Sequence, residues 1–279
     1  MWAKYRLGNC RFSYQADRSI PDTKTNPLNQ AANPSEAPAP THVNEGPVGV
    51  IIQPSYIPWR GYFHMIQRAD VFVFYDDVQY DKRGWRNRNK IKTPQGAQWL
   101  TIPVHNKGAQ SEDLPINEIE INWDAPWNKK QWATIKQNYQ KAPFFAKYAP
   151  LVESLFERHD QLLADLTIES TILLAKELGI NDTQFVRSSS LEMAGQKTER
   201  LISVLQKVGA KHYISGPSAR DYMQPELFEE AGISFEYQVY DYPEYAQRYP
   251  PFDGQVSILD LLFNEGPQAS DFIWKSSRP

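Results

Sequence analysis

Two adjacent carboxylates, Asp76 and Asp77, close the apolar run "VFVFY", and a set of cations, Lys82, Arg83, Arg86 and Arg88, soon follows them. Residues of these types in this order suit two kinds of chemistry. A carboxylate kept charged by nearby arginines can take a proton from an attacking amine or orient that amine. Arginine forks grip a phosphate or carboxylate through paired hydrogen bonds. On an extended chain neighbouring side chains point to opposite sides, so only one aspartate faces a given pocket. The same alternation puts Arg86 and Arg88 on one face and Asn87 and Asn89 on the other. Trp85 among them offers a ring for stacking on a base or sugar. Asp76 and Asp77 are the candidate catalytic residues; Trp85, Arg86, Asn87, Arg88 and Asn89 are candidate substrate-binding residues. The plainer alternative is a turn in which aspartates bond backbone amides, followed by a solvated basic strand.

Three other stretches carry chemistry of the same kind. "QPSYIPWRGYF" begins at Gln53, whose amide stands at a strand end beside aromatic rings. Its two prolines and its lack of a glycine-rich run exclude a Walker phosphate loop. "SSSLEMAGQKTERLI" places Lys197 at a helix start, where anions bind well, although a capping segment reads the same way. "HYISGPSARDYM" puts Ser215 and Gly216 after a strand, and Gly216 lets the backbone approach a ligand. That stretch is not GxSxG, so no nucleophile elbow follows. The five histidines show no i,i+4 pair and no HExxH, and Cys10 is the one cysteine, so no metal site is expected. The residues point to no particular cofactor.

Elements must bring these loops together. "VGVIIQ", "VFVFY", "TQFVRSS", "HYISG" and "SFEYQVY" are short apolar or β-branched runs that read as strands. "AQWLTIPV" and "INEIEI" read as two more. Helical spacing predicts helices over 60–69, 127–141, 143–158, 160–179, 197–209 and 256–266, with Asp160 as an N-cap and Gly179 and Gly209 as stops. "DYPEYAQRYPPF" reads as a rim loop packed by its own side chains. Alternating strands and helices predict an α/β fold, a mostly parallel Rossmann-like sheet with an inserted helical segment. Ligands in such sheets sit at the carboxyl ends of strands. That rule gathers the loops after Gln53, Tyr75, Ser188 and Ser215 on one rim.

Composition bounds the rest. An apolar fraction of 41% supports a buried core, and a net charge of −3 gives no global field for nucleic acid. No apolar run is long enough to span a membrane, and residues 1–19 lack the apolar core of a signal peptide. A cytoplasmic protein acting on a small molecule is expected. Residues 20–46, rich in Pro, Ala and Asn, read as a disordered linker after an N-terminal extension over 1–19; the folded domain is expected over 47–279.

The stretches "IIQPSYIPWRGYF", "VFVFYDDVQYDKRGWRNRNKI", "QWLTIPV", "KTERLI", "HYISGPSARDYM" and "SILDLLFNEG" together resemble the WbqC-like family of bacterial proteins. The positions matching the recurrent motif are Gln53, Pro54, Gly61, Asp76, Asp77, Trp85, Asn87, Arg88, Asn89, Ser215 and Gly216. The resemblance implies a transferase of surface-polysaccharide (O-antigen) biosynthesis that passes an aminoacyl or acyl group to an amino sugar. It carries over no agreed catalytic residue. A nucleotide sugar as substrate fits the residues: arginines for the diphosphate, aromatics for base or sugar, an aspartate for the amine proton. A nucleotide-dependent ligase or nucleotidyltransferase is the second reading, and a non-enzymatic carbohydrate-binding or assembly protein is the third.

Overall fold

The computed structural model describes residues 46–82, 84–105, 114–216, 219, 223–239 and 241–274. The readings made for residues 1–45 and for Arg83 lie outside these.

Five strands form one sheet, β1 (Val48–Ile52), β2 (Val71–Phe74), β5 (Gln184–Arg187), β6 (His212–Ser215) and β7 (Ser234–Tyr237), in the order β5-β2-β1-β6-β7. Every pairing in it is parallel. Helices α1 (Arg60–Arg68), α5 (Lys197–Lys207) and α6 (Pro225–Glu230) make crossovers, and α7 (Ile258–Glu265) follows β7. The inserted segment runs between β2 and β5. It holds an antiparallel hairpin, β3 (Arg88–Thr93) with β4 (Gly96–Thr101), then α2 (Trp127–Tyr139), α3 (Phe145–Glu157) and α4 (Leu163–Glu177). The α/β class with a parallel sheet and inserted helices is the one the sequence predicts.

Period-two alternation sorts the strand residues onto two faces. Val50, Phe72, Phe74 and Ile214 pack with Phe63 and Ile66 of α1 and with the inserted helices. Ile51, Val71, Val73 and Tyr213 pack with Leu201, Val204 and Leu205 of α5 and with Phe228 of α6. Both faces are covered, which is why these strands read as continuous apolar runs rather than alternating ones. A Cβ at Gly49 would stand 2.8 Å from Ala210 Cβ and 2.8 Å from Leu205 Cδ2, so only glycine lets the end of α5 pack so close to β1.

Two local expectations fail for physical reasons. "INEIEI" is a 3-10 turn, Ile116–Glu118, flanked by isolated bridges Gln79–Pro115 and Val104–Ile121, not a strand. Ile116 and Ile119 are both buried, and their spacing of three suits that turn. Asp160 does not cap α4: the cap position is Leu162, without a side-chain bond, while Asp160 accepts both forks of Arg158 at 2.8 Å.

The aromatic segment after β7 is pinned to the core rather than packed only on itself. Asp260 of α7 is fully buried and accepts from Tyr139 Oη (2.7 Å), Tyr245 Oη (2.8 Å) and Gln247 Nε2 (3.0 Å). Burial raises its carboxyl pKa, against the pull of those donors. Asp260→Ala strands two buried hydroxyl donors, Tyr139 and Tyr245, each costing about 1–3 kcal/mol, while Gln247 keeps Asp253 O. The variant should therefore lose about 2 kcal/mol or more in urea denaturation; an unchanged midpoint would mean that the network is not holding this segment.

Candidate functional site

In a sheet of this order the chain reverses direction between β1 and β6, and the crevice beyond that point is where open α/β sheets hold ligands. A cavity of about 830 Å³ lies there, within the usual range for small-molecule sites. Its base is the ends of β1 and β6: Ile51, Ile52 and Gln53 on one, and Tyr213, Ser215 and Gly216 on the other. The start of α1, the loop before β3, the start of α5 and the segment at 242–255 supply its walls. Trp59, Tyr62, Tyr75, Trp85, Tyr213 and Tyr242 give it ring surfaces. Arg60, Arg86 and Lys197 are its charged groups, and no carboxylate lines it among the described residues.

The three cations have different duties. Arg60 is buried and committed to structure: it donates to Pro243 O (2.6 Å) and Phe272 O (3.1 Å) and lies over the rings of Tyr242 and Tyr245. Arg86 is half-buried, and desolvation pushes its pKa down. Its Nη1 donates to Gln53 Oε1 at 2.8 Å, and it forms no ion pair among the described residues. The Asp81 carboxylate favours its charge without forming an ion pair with it among the described residues, and a partly desolvated cation in that setting gains from an arriving anion. Lys197 opens α5 with φ +49°, exposed, and likewise forms no described ion pair. A non-glycine residue held in the left-handed region is a strain that structures keep mainly at functional sites.

The aromatic loop that leaves β1 is held in a strained form too. Ile57 is buried with φ +41°, unusual for a β-branched residue. Asn89 Nδ2 donates to Ile57 O (2.7 Å) and Tyr56 O (3.0 Å) and so fixes the turn. Trp59 Cη2 would lie 2.4 Å from a Cβ at Gly61, so glycine there is what lets the indole cross the first turn of α1.

The sequence-nominated residues divide between the cavity and its frame. Gln53, Trp85, Arg86, Asn89, Lys197, Ser215 and Gly216 line the cavity. Asn89 contributes mainly by pinning the turn, and Ser215 is itself almost wholly buried. Asn87 is buried and donates to Ile102 O at 2.8 Å, outside the cavity. Arg88 stacks over Trp99, 4.4 Å from its ring centre, also outside. Asp76 and Asp77 do not line the cavity. Asp76 is fully buried and accepts from Arg187 Nε (2.8 Å), Ser189 N (2.9 Å) and Ser189 Oγ (2.9 Å), with Ser188 Oγ 3.1 Å away. Asp77 accepts from Ser188 Oγ (2.5 Å) and Arg200 Nη2 (2.6 Å). Their arginine partners thus come from β5 and α5, not from the adjacent basic stretch.

Some cavity residues carried no local signal. Tyr242 reaches the cavity from the pinned segment, where its hydroxyl accepts from Gln238 Nε2 (2.7 Å) and pairs with His64 Nδ1 (3.0 Å). Burial, helped by Arg68, pushes the His64 pKa from 6.5 to about 4. The folded protein therefore binds fewer protons at this site than the unfolded chain between those values, and stability falls as pH drops from about 6.5 toward 4. Asp260, with a raised pKa, works in the opposite sense. Comparing wild type with His64→Gln in thermal melts isolates the histidine: the variant should show a shallower loss over that window, and parallel curves would contradict it.

The strand order, the two covered faces and the cavity at the reversal define a doubly wound α/β protein with its concave site where such folds place it. The chain belongs to the WbqC-like protein family, whose model matches residues 53–272. It is 42% identical over 226 residues to a Mycobacterium tuberculosis protein named Uncharacterized protein Rv1507c, across 80% of this chain and 96% of that one. No solved structure matches the chain. No helix among the described residues is long and apolar enough to cross a membrane.

Proposed function

We propose that the switch-point cavity binds a nucleotide sugar and that the protein transfers an aminoacyl or acyl group to an amine on that sugar. The observation that carries the binding half is the lining: cations and aromatic rings, with no carboxylate among the described residues. Arg86 and Lys197 supply the charge for a diphosphate, and the ring walls suit a base and a sugar. In the transfer, the amine nitrogen bonds to the acyl carbon, the bond from that carbon to its carrier breaks, and the proton lost by the amine ends on the departing carrier. Asp76 and Asp77 act here as positioning residues. They fix Arg187 and Arg200, and Arg200 lies over Tyr75 on the cavity wall.

Thermal shift measurements with uridine diphosphate glucosamine in EDTA, and with ATP and magnesium, separate the readings. A ligand at 100 times its Kd stabilises by about 2.7 kcal/mol. The proposal predicts a saturable shift with the nucleotide sugar in EDTA. A shift confined to ATP with magnesium would favour the ligase reading, and no shift with either would remove the cavity's assigned ligand.

A further inference from the structure

The outer face of the β3–β4 hairpin carries a feature that the cavity does not account for. Trp85 and Trp99 are 40% and 42% exposed, and with Val239 they are the large exposed apolar side chains among the described residues. Single exposed apolar residues are ordinary, but two indoles side by side are not. Their ring centres are 5.2 Å apart and their planes tilt by 36°. The hairpin register puts Arg88 opposite Thr101 and Lys90 opposite Trp99, so these four share the outward face. Arg88 lies 4.4 Å from the Trp99 ring centre, and Lys90 Nζ lies 5.2 Å from Trp99 and 5.7 Å from Trp85. Asn89, Ile91 and Leu100 on the other face are buried, which fixes which side of the hairpin looks outward. Trp85 also lines the cavity, so the shelf continues its wall.

We infer that this shelf is a second subsite, for a sugar unit bearing an acidic group. The C–H face of a pyranose lies flat on an indole, while Arg88 and Lys90 are donors only and match a carboxylate and hydroxyl oxygens. Two indole faces fall well short of the roughly 800 Å² per partner that a stable protein interface buries. The net charge of −3 gives no general attraction for a nucleic acid. Continuity through Trp85 makes the occupant a neighbour of whatever the cavity holds. The inference deepens the proposed function and rests on it only for the identity of the cavity's ligand.

Titration calorimetry with trigalacturonate and with the neutral trisaccharide maltotriose tests it, on wild type, Trp99→Ala and the double variant Arg88→Gln/Lys90→Gln. The double variant leaves both indoles in place, which keeps the test informative if Trp99→Ala unfolds. Trigalacturonate should bind wild type at least about tenfold more tightly than maltotriose and lose at least about tenfold in each variant (one tenfold step per lost contact). Uridine diphosphate glucosamine should bind folded variants as it binds wild type, since none of the changed residues lines the cavity. Equal affinity for the two trisaccharides, unchanged trigalacturonate binding in the variants, or no binding at all would overturn the subsite. Failure of the nucleotide sugar alone to bind, with trigalacturonate behaving as stated, would count against the cavity's assigned ligand and leave the shelf standing.

Discussion

Asp76→Asn should destabilise the fold by about 3 kcal/mol, whether or not it alters activity. The carboxylate has no exposure and accepts three hydrogen bonds, one from the Arg187 fork and two from Ser189. Hydrogen bonds to a charged group are worth about 1.5–3 kcal/mol each, and breaking one member of a buried pair costs about 3–5 kcal/mol. The lower part of that range applies because Arg187 is 35% exposed and keeps Asp165 as a partner at 2.7 Å. An Asn also points two donors into a nest of donors. Urea denaturation of the two proteins checks this, and a variant as stable as wild type would show that the network around Asp76 carries no weight. Asp77→Asn should cost less, since Asp77 retains 20% side-chain exposure.

Arg86→Ala should weaken binding of a phosphorylated ligand by roughly 10- to 150-fold, the range that a charged contact of about 1.5–3 kcal/mol implies. Folding should change far less. The side chain gives up one hydrogen bond to Gln53 and relieves a desolvated cation. Gln53→Ala should move affinity in the same direction by a smaller factor, because it frees the guanidinium without removing it. Calorimetry with uridine diphosphate glucosamine distinguishes the outcomes. Equal affinity in wild type and Arg86→Ala would place the anion elsewhere in the protein.

Much of the architecture was legible because the physics that sets it is local. "VFVFY" and "VGVIIQ" are apolar on both faces, and both faces are indeed covered. Parallel pairing then carried Gln53 and Ser215 to one rim, where the cavity opens. What stayed hidden depends on distant partners. The basic stretch next to Asp76 was the obvious source of its cations, yet Arg187 supplies the bond from 111 positions away. Alternation separated Asn87 and Asn89 from Arg86 and Arg88, but nothing in polar residue types marks the asparagine face as the inner one. Asn89 is inside because the strained turn at Ile57 needs two carbonyls held. Tyr242 enters the wall from a segment whose position is set by Arg60 and Asp260, residues of α1 and α7. "INEIEI" alternates like a strand, but a one-turn helix hides Ile116 and Ile119 equally well.

The central claim is that the cavity between the ends of β1 and β6 holds a phosphorylated, ring-bearing ligand. A crystal structure of the protein grown with saturating uridine diphosphate glucosamine tests it most directly. The account predicts the diphosphate within hydrogen-bonding distance of Arg86 and Lys197, with a ring of the ligand against Trp59 or Trp85. An empty cavity under those conditions, or a ligand bound at a different surface, would contradict it.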